Sequence, residues 1–313
     1  MPNIVCIILE RTNLKIALTI GNFDAVHRGH IALVETARQA VGSDGKVEVW
    51  SFDPSPVTLL NPNFHLDRIT TFSQRMEQLI RAGADVVRQI TPTTTLLSQT
   101  PEAFIADVVE RSSPDIIVEG YGFKFGKDRA GDAQTLQKIG KQYGFSLIEM
   151  DGVEVTLSDA TTVRASSSQV RELLSSGRVE DAKKMLGRPY SVTGIVTRGD
   201  RRGREMGIPT ANLSHIETML PQDGIYAGNA VVDGETYIAA ISVGTKPTFS
   251  GNTRVFEAHL VSFDGDLEHY NWPLTVTISH WIRNQIAFDS ANDLQKQINE
   301  DIQLAISLIE STA

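Results

Sequence analysis

The chain has 313 residues, of which 41% are hydrophobic and 21% are charged, a composition typical of a globular protein long enough for two domains. The formal net charge of −9 argues against nucleic acid as a bulk partner, and no apolar run reaches the ~18 residues of a membrane span. Cys6 is the single cysteine, so no internal disulfide can form, and we expect a cytoplasmic protein.

Short apolar runs alternate with helical patterns up to about residue 185. The first 15 residues lack the basic start and cleavage site of a signal peptide, so we expect a strand there. The later runs are continuous, as in strands buried on both faces, and alternate with helices as in a parallel sheet. The predicted strands are KIALTI, KVEVWSF, ADVVRQI, PDIIVEG and FSLIEM, and the predicted helices are HIALVETARQAV, TFSQRMEQLIRAG, PEAFIADVVERS and DAQTLQKIGKQYG.

The pattern changes after two short predicted helices, SSSQVRELLSSG and VEDAKKMLG. From Tyr190 onward apolar residues tend to alternate between Asp-Gly turns, which predicts a small antiparallel β-barrel. The stretch SANDLQKQINEDIQLAISLI is amphipathic and predicts a terminal helix with Ser290 as its N-cap. We therefore predict an α/β domain of residues 1–186 and an all-β domain of residues 187–313.

The motif GNFDAVHRGH spans Gly21–His30, where the first predicted strand turns into a helix. In an open parallel sheet, ligands bind beyond the carboxyl ends of the strands, and a helix N-terminus there suits a phosphate. His27 and His30 lie three residues apart and share a helix face, so both imidazoles can donate to a phosphate. Taken alone, the pair leaves two solvent-exposed histidines as an equal alternative, whereas a zinc site lacks a third ligand nearby.

A second motif, TTVRASSSQVR, ends at Arg171. Ser166 or Ser167 alone explains a plain N-cap of the following helix. One cap needs one hydroxyl, however, and hydroxyls, free N–H groups and a guanidinium together make an anion site. We therefore expect Ser167, Ser168 and Arg171 to contact phosphates, and the two motifs to hold one triphosphate.

Together, GNFDAVHRGH and SSSQVR resemble the paired signatures of the nucleotidyltransferase fold. The segments SFDPSP, VEGYGFKFGKDRAGD and LLSSGRVEDAKKMLGRPYSVTGIVTRGDRRGREMGIPTANL are similar to those of the bacterial bifunctional riboflavin kinase/FMN adenylyltransferases, and the resemblance runs from about residue 17 to 302. It implies a Rossmann-like nucleotidyltransferase domain followed by a riboflavin kinase barrel. The residues that it assigns to ATP in the first domain are Gly21, Asn22, Phe23, Asp24, His27, His30, Ser167, Ser168 and Arg171, with His27, His30 and Arg171 catalytic.

The loop GDRRGREMGIPTANL opens the second domain. Its glycines let a backbone fold over phosphates, although a cluster of β-turns is the alternative and the Walker pattern is absent. Thr210 and Asn212 are two apart, so in an extended segment their oxygens point the same way, as Mg²⁺ ligation requires. The resemblance implies that this loop binds Mg·ATP through Gly199, Gly203, Gly207, Pro209, Thr210 and Asn212, with Thr210 and Asn212 as metal ligands.

Glu257 lies in the apolar strand RVFEAHL, on the face opposite Phe256 and Ala258. A charged residue on a solvated barrel face is the alternative, but the resemblance implies the general base that deprotonates the 5′-hydroxyl of riboflavin. In HWIRNQIAFDS it implies that Arg283 and Phe288 contact the flavin, where a planar cation and an aromatic ring suit the ring system. A surface arginine and a core phenylalanine are the alternative there.

The chain departs from the resembled pattern at several positions. Ala25 stands where a glycine is usual, which is tolerable unless the turn needs positive φ. Ser55 replaces a histidine, and Gly122 replaces an asparagine or aspartate. Ser168 replaces a threonine and keeps the hydroxyl, and Gln285 replaces a frequent glutamate. We expect adenylyl transfer to survive with altered binding, because the histidines of the first motif and the arginine of the second persist.

The sequence therefore predicts two consecutive reactions of FAD biosynthesis on one chain. MgATP phosphorylates riboflavin to FMN in the second domain, and a second ATP adenylylates FMN to FAD and pyrophosphate in the first. The alternatives are a riboflavin kinase with a degenerate first domain that only binds nucleotide or flavin, and a flavin-binding regulator without turnover. We expect small-molecule substrates, no nucleic-acid or membrane partner, and a monomer or weak homo-oligomer.

Overall fold

The computed structural model describes residues 14–61, 63–199, 207–248, 251–265 and 270–311, without the side chains of 246–248 and 251–253. The strand expected at the N terminus and Gly203 lie outside the described residues. The chain forms two compact units. The first comprises the described parts of Met1–Leu66 and Phe72–Val153, and the second those of Asp67–Thr71 and Glu154–Ala313.

The first unit is built on the parallel sheet that the continuous apolar runs predict. Its strands are β1 (Ile16–Gly21), β2 (Lys46–Phe52), β3 (Val86–Ile90), β4 (Ile116–Gly120) and β5 (Ser146–Met150). Their order is β3-β2-β1-β4-β5, so the direction of winding reverses between β1 and β4. In an open α/β sheet such a reversal point is where ligands bind, at the carboxyl ends of the strands.

Helices bury both faces of this sheet, which explains why its strands read as continuous apolar runs. Alternate residues of β1 enter different cores: Ala17 packs with Val34 of one helix, whereas Leu18 packs with Ile105 and Leu136 of two others. The helices are α1 (Arg28–Val41), α2 (Pro56–Leu60), α3 (Phe72–Arg81), α4 (Thr94–Leu97), α5 (Pro101–Ser112) and α6 (Ala133–Tyr143). Helices α2 and α4 were not predicted, because four or five residues are too few for a helical period to show.

A short antiparallel hairpin and two helices precede the barrel in the second unit. They are β6 (Glu154–Thr156), β7 (Thr162–Arg164), α7 (Ser167–Ser175) and α8 (Val179–Leu186). The buried carboxylate of Asp181 on α8 accepts from the N–H and hydroxyl of Ser158, both at 2.7 Å, and pairs with Arg178. Glu180 Oε1 accepts from the backbone N–H of Trp281 at 2.8 Å, which joins α8 to the barrel.

The barrel is antiparallel and closed, as the alternation of apolar residues predicts. Its strands are β8 (Tyr190–Thr197), β9 (Ala211–Ser214), β10 (Gly224–Val232), β11 (Glu235–Thr248), β12 (Gly251–Leu260) and β13 (Pro273–Arg283), and α9 (Ala291–Glu310) follows. The interior is filled by residues such as Tyr226, Ile241 and Phe256, each fully buried. Ser290 Oγ accepts from the N–H of Asp293 at 3.1 Å, so Ser290 is the N-cap as predicted. None of the helices in the described ranges is long and apolar enough to cross a bilayer.

Candidate active sites

The turn between β1 and α1 has a strained backbone. Phe23, Ala25 and Val26 have φ values of 50°, 78° and 43°, and all three residues are buried. Left-handed backbone costs a residue with a Cβ roughly 1–2 kcal/mol, and such strain collects at functional sites. Residue 25 therefore does need positive φ, so the alanine at this position carries strain that a glycine would relieve.

His27 and His30 lie together at the N-terminus of α1. His27 is the N-cap residue and is buried, and its ring stacks on that of His30 with 3.7 Å between centroids and 21° between planes. The Phe23 ring centroid lies 5.0 Å from that of His30, with 58° between the ring planes. The two imidazoles thus share one face at the positive end of the helix dipole, an arrangement suited to an anion.

Arg75 of α3 contacts residues at the ends of β1 and β2, and the sequence alone did not indicate a role for this arginine. Its guanidinium is buried and donates to the hydroxyl of Ser51 at 3.0 Å and to the carbonyl of Phe52 at 2.8 Å. Its other terminal nitrogen lies 3.4 Å from a carboxylate oxygen of Asp53 and 3.9 Å from one of Asp24. A buried guanidinium requires such partners. Within its helix, Arg75 has the pattern of a surface residue, so periodicity gives no signal for it.

Gly122 follows the carboxyl end of β4, in a turn closed by the bond from Phe123 N–H to the carbonyl of Gly120 at 3.0 Å. Gly122 has a φ of +82°, and a Cβ built there meets no atom within 4 Å. Asparagine and aspartate tolerate this conformation better than other residues with a Cβ. The space is therefore open to the side chain that the resemblance places here.

An exposed apolar segment follows the carboxyl end of β2. Ser55 is the N-cap residue of α2, and its carbonyl accepts from the hydroxyl of Thr58 at 2.8 Å. Large apolar side chains on this segment are exposed instead of packed, which is typical of a binding surface when they cluster. They are Val57, Leu59, Leu60 and Phe64, with exposed fractions of 37%, 39%, 69% and 46%.

The second predicted phosphate motif begins α7. Ser166 is the cap, because its hydroxyl accepts from the N–H of Gln169 at 3.2 Å. The hydroxyls of Ser167 and Ser168 therefore lie on the first turn without being the capping group. Arg171 Nε donates to the carbonyl of Asp67 at 2.7 Å. This motif belongs to the second unit, whereas Gly21, Asn22, Phe23, Asp24, His27 and His30 belong to the first.

Glu257 lies in the middle of β12, opposite two polar residues of its neighbouring strands. Its register partners are Asn212 on β9 and Ser242 on β11. Phe256 and Ala258 are fully buried inside the barrel, so Glu257 occupies the outer face with its cross-strand partners. The carboxylate and the Asn212 amide thus share one face of the barrel.

Gly199, in the described part of the glycine-rich loop, lies close to the side chain of Asn212. A Cβ at Gly199 would lie 2.4 Å from the Asn212 amide group, so a larger residue would displace that amide. Gly207 has a φ of +78°, a conformation that favours glycine. The carbonyl of Pro209 is 2.8 Å from His259 Nδ1, and Asn212 Nδ2 donates to the carbonyl of Thr210 at 3.4 Å.

Arg283 is held by the terminal helix. Its Nε and Nη2 donate to the two carboxylate oxygens of Asp301 at 2.9 and 2.6 Å, and its Nη1 donates to the carbonyl of Asn284. Gln285 donates to Ser242 Oγ at 3.2 Å, beside the register position of Glu257. Phe288 is partly exposed and does not belong to the buried core.

The oxygens around Asn212 fit a hard cation. Thr210, Asn212 and Glu257 supply hydroxyl, amide and carboxylate oxygens, the donors that Mg²⁺ prefers. No group of three or more His, Cys, Asp or Glu that could hold a metal occurs in the parts of the chain that the structure describes. Mg²⁺ bound largely by phosphates and water does not need such a group.

Comparisons with known proteins agree with both halves of this description. The family model described as FAD synthetase matches residues 9–164, and the one described as riboflavin kinase matches residues 186–309. A solved structure described as a macrolide-efflux protein from Streptococcus pneumoniae superposes with a TM-score of 0.83, with 30% identity and 94% of each chain covered. The fold and the two matched domains define a transferase with two catalytic functions.

Curated relatives specify the family. The bifunctional riboflavin kinase/FMN adenylyltransferase of Escherichia coli strain K12 is 33% identical over 91% of this chain and 90% of its own length. The corresponding proteins of Buchnera aphidicola and Bacillus subtilis are each 31% identical, with 95% and 96% of this chain covered and 95% and 94% of their own lengths. The chain belongs to the family of bifunctional riboflavin kinase/FMN adenylyltransferases. It phosphorylates riboflavin to FMN and adenylylates FMN to FAD, and a kinase-only protein or a non-catalytic regulator is not favoured.

Proposed function

We propose that the turn at Gly21–His30 binds the ATP of the adenylyl transfer, and that Ser167–Arg171 is a second phosphate-binding motif. An oxygen of the FMN phosphate attacks the α-phosphorus, the bond to the β-phosphate oxygen breaks, and pyrophosphate leaves. His27 and His30 donate to the α-phosphate oxygens, and Arg171 is the guanidinium that the second motif offers to a phosphate. The observation that carries this proposal is the stacked imidazole pair at the N-terminus of α1.

The exposed segment from Val57 to Phe64 is the proposed support for the flavin ring of FMN in this reaction. It lies directly after the carboxyl end of β2, at the edge of the sheet where ligands bind. Burying its apolar side chains under a flat aromatic ring would stabilise the complex by removing apolar surface from water.

Glu257 is the proposed general base of the kinase reaction. It takes the proton from the 5′-hydroxyl of riboflavin, whose oxygen attacks the γ-phosphorus of ATP while ADP leaves. Thr210 and Asn212 would hold Mg²⁺ through their oxygens, and the glycine-rich loop would bind the phosphates of ATP. Mg²⁺, when bound, neutralises phosphate charge during the transfer. Arg283 and Phe288 contact the flavin at the edge of the barrel.

The functional division that we propose is 1–186 for adenylyl transfer and 187–313 for the kinase. The two family matches, at 9–164 and 186–309, support it. In three dimensions, however, α7 and α8 belong to the compact unit of the barrel. A chain whose single cysteine excludes internal disulfides suits the cytoplasm, and we propose a cytoplasmic monomer or weak homo-oligomer.

Two substitutions test the division of roles on the full-length chain. Glu257→Gln should lower FMN formation by ~10² or more, the usual contribution of a general base, and leave FMN-to-FAD conversion unchanged. His30→Ala should lower FAD formation from FMN by ~10², the effect of losing one charge-stabilising donor, and leave the kinase unchanged. Both products are separated by chromatography after incubation with riboflavin or FMN and MgATP.

Matched controls use residues of the same type on the surface. Glu235→Gln and His215→Ala remove an exposed glutamate and an exposed histidine of the second unit, and both reactions should proceed at the wild-type rate. Normal kinase turnover in Glu257→Gln would refute the general base. Equal loss of both activities in His30→Ala would instead indicate unfolding.

A further inference from the structure

Glu119, near the carboxyl end of β4, is a buried acidic residue that neither reaction uses as described above. It is 3% exposed, and it forms no ion pair with any residue that the structure describes. Oε1 of Glu119 accepts a hydrogen bond from the backbone N–H of Ile20 at 2.8 Å. A buried carboxyl without a cation is costly to keep in a fold, so its position at the ligand-binding edge of the sheet calls for a function.

The pairing of the strands explains why Glu119 contacts β1. Strand β1 pairs with β2 along its whole length, but with β4 only at Ala17–Ile116 and Leu18–Ile117. The ladder therefore ends before Ile20, at the point where the strand order reverses. Ile20 is buried, and its N–H needs a partner in place of a backbone carbonyl. The Glu119 side chain supplies that partner and fixes the end of β1, immediately before the phosphate-binding turn.

The surroundings of Glu119 favour its neutral form. Burial raises the pKa of the Glu119 carboxyl well above its ordinary value, and the bond from Ile20 N–H offsets this only in part. Strand β1 carries no titratable side chain, and the register partner on β5, Glu149, is exposed. The titratable side chains of α1, α5 and α6 that are not exposed are His30, Arg38 and Asp107, and Arg38 and Asp107 form ion pairs with Asp85 and Arg111.

We propose that Glu119 is a positioning residue for adenylyl transfer: its hydrogen bond to Ile20 N–H holds the end of β1 and the phosphate-binding turn in place, and its neutral form keeps negative charge away from the triphosphate. An ionised carboxylate would still accept from Ile20 N–H, but it would be a buried charge without an ion-pair partner among the described residues. It would also add a negative charge beneath a site that must receive a triphosphate. The proposal rests on the assignment of the turn at Gly21–His30 to ATP.

Glu119→Gln separates protonation from packing, because the amide oxygen accepts the same hydrogen bond and has no proton to lose at any accessible pH. The measurement is kcat/KM for FAD formation from FMN and ATP, in wild type and variant, from about pH 6 upward. The ratio of variant to wild type should be near one at acidic pH. Above the pH at which Glu119 ionises, it should rise above one, because glutamine adds no negative charge near the triphosphate. The same ratio for riboflavin phosphorylation should stay flat, which controls for unfolding.

Glu119→Leu tests the hydrogen bond itself, because leucine cannot accept from Ile20 N–H. FAD formation should fall roughly tenfold or more at every pH, with the kinase unaffected. The proposal would be overturned if the Glu119→Gln ratio did not change with pH. It would also be overturned if, at acidic pH, Glu119→Gln lost as much FAD formation as Glu119→Leu. His30→Ala separates an error in the ATP assignment of the turn from an error in the role of Glu119. If His30→Ala leaves FAD formation intact, the assignment of the turn is wrong. If it lowers FAD formation while the Glu119→Gln ratio is flat, only the role of Glu119 is wrong.

Discussion

Replacing Arg283 with methionine should destabilise the barrel and its terminal helix. Asp301 is 5% exposed and receives two hydrogen bonds from Arg283, at 2.9 and 2.6 Å. Removing one partner of a buried ion pair costs ~3–5 kcal/mol, because the other charge stays buried and unpaired. Gln297 Nε2 still donates to Asp301 at 3.2 Å, and the Arg283 side chain is 21% exposed. We therefore expect a loss of ~2–3 kcal/mol in the free energy of unfolding.

Urea unfolding followed by tryptophan fluorescence measures this loss. The chain has three tryptophans, and a Trp50→Phe background leaves Trp272 and Trp281, both in the second unit, as reporters. The control Lys296→Met removes an exposed positive charge from α9 and should change the free energy of unfolding by less than ~0.5 kcal/mol. The double variant Arg283→Met/Asp301→Leu should recover most of the loss, since it leaves no buried charge.

The same variants separate the structural role of Arg283 from its proposed contact with the flavin. If both roles hold, the double variant regains stability but keeps a raised KM for riboflavin. A free energy of unfolding of Arg283→Met within ~0.5 kcal/mol of wild type would refute the reasoning. It would show that the buried Asp301 carboxylate does not need Arg283 as its ion-pair partner.

Three further substitutions follow from backbone geometry and protonation. Gly122→Asn fits the open left-handed position and should lower KM for FMN or ATP in FAD formation by ~2- to 12-fold, the value of one neutral hydrogen bond; two unchanged KM values would show that residue 122 contacts neither substrate. Ala25→Gly relieves backbone strain of ~1–2 kcal/mol. It also removes a buried methyl group (~0.8 kcal/mol) and increases the entropy of the unfolded chain (~0.5–1 kcal/mol). The free energy of unfolding measured in urea should therefore change by less than ~1 kcal/mol. The folded-state pKa of Glu119 is raised, so the wild type loses stability as pH rises from the ordinary glutamate range through that pKa. In urea unfolding, the free energy of unfolding of Glu119→Gln relative to wild type should therefore increase with pH, and a constant difference would contradict this reasoning.

Much of the architecture was accessible from local patterns. Continuous apolar runs predicted the five parallel strands, and alternation predicted the antiparallel barrel, because side-chain period follows directly from backbone geometry. Ser290 was predicted as an N-cap from its position alone and is one. The motif at Gly21–His30 was predicted to begin a helix with both histidines on one face, and their rings are stacked there. The assignment of these residues to ATP stays a prediction.

Only the tertiary structure decided which distant residues meet. Arg75 looks like a surface residue of an amphipathic helix, yet it is buried between the loops that follow β1 and β2. Arg283 pairs with Asp301, eighteen residues further on and on another element. The strands β6 and β7 have three residues each, too few for a period to show.

Glu119 shows the difference most clearly. In the sequence Glu119 is an acidic residue near the end of an apolar run, and nothing local distinguishes it from an exposed residue at the end of a strand. Its burial and its bond to Ile20 exist because β1 and β4, ninety-nine residues apart at this point, separate where the sheet reverses direction. Periodicity records which face a residue occupies, whereas the partner of a buried polar group depends on strand order and register, which only the packed chain determines.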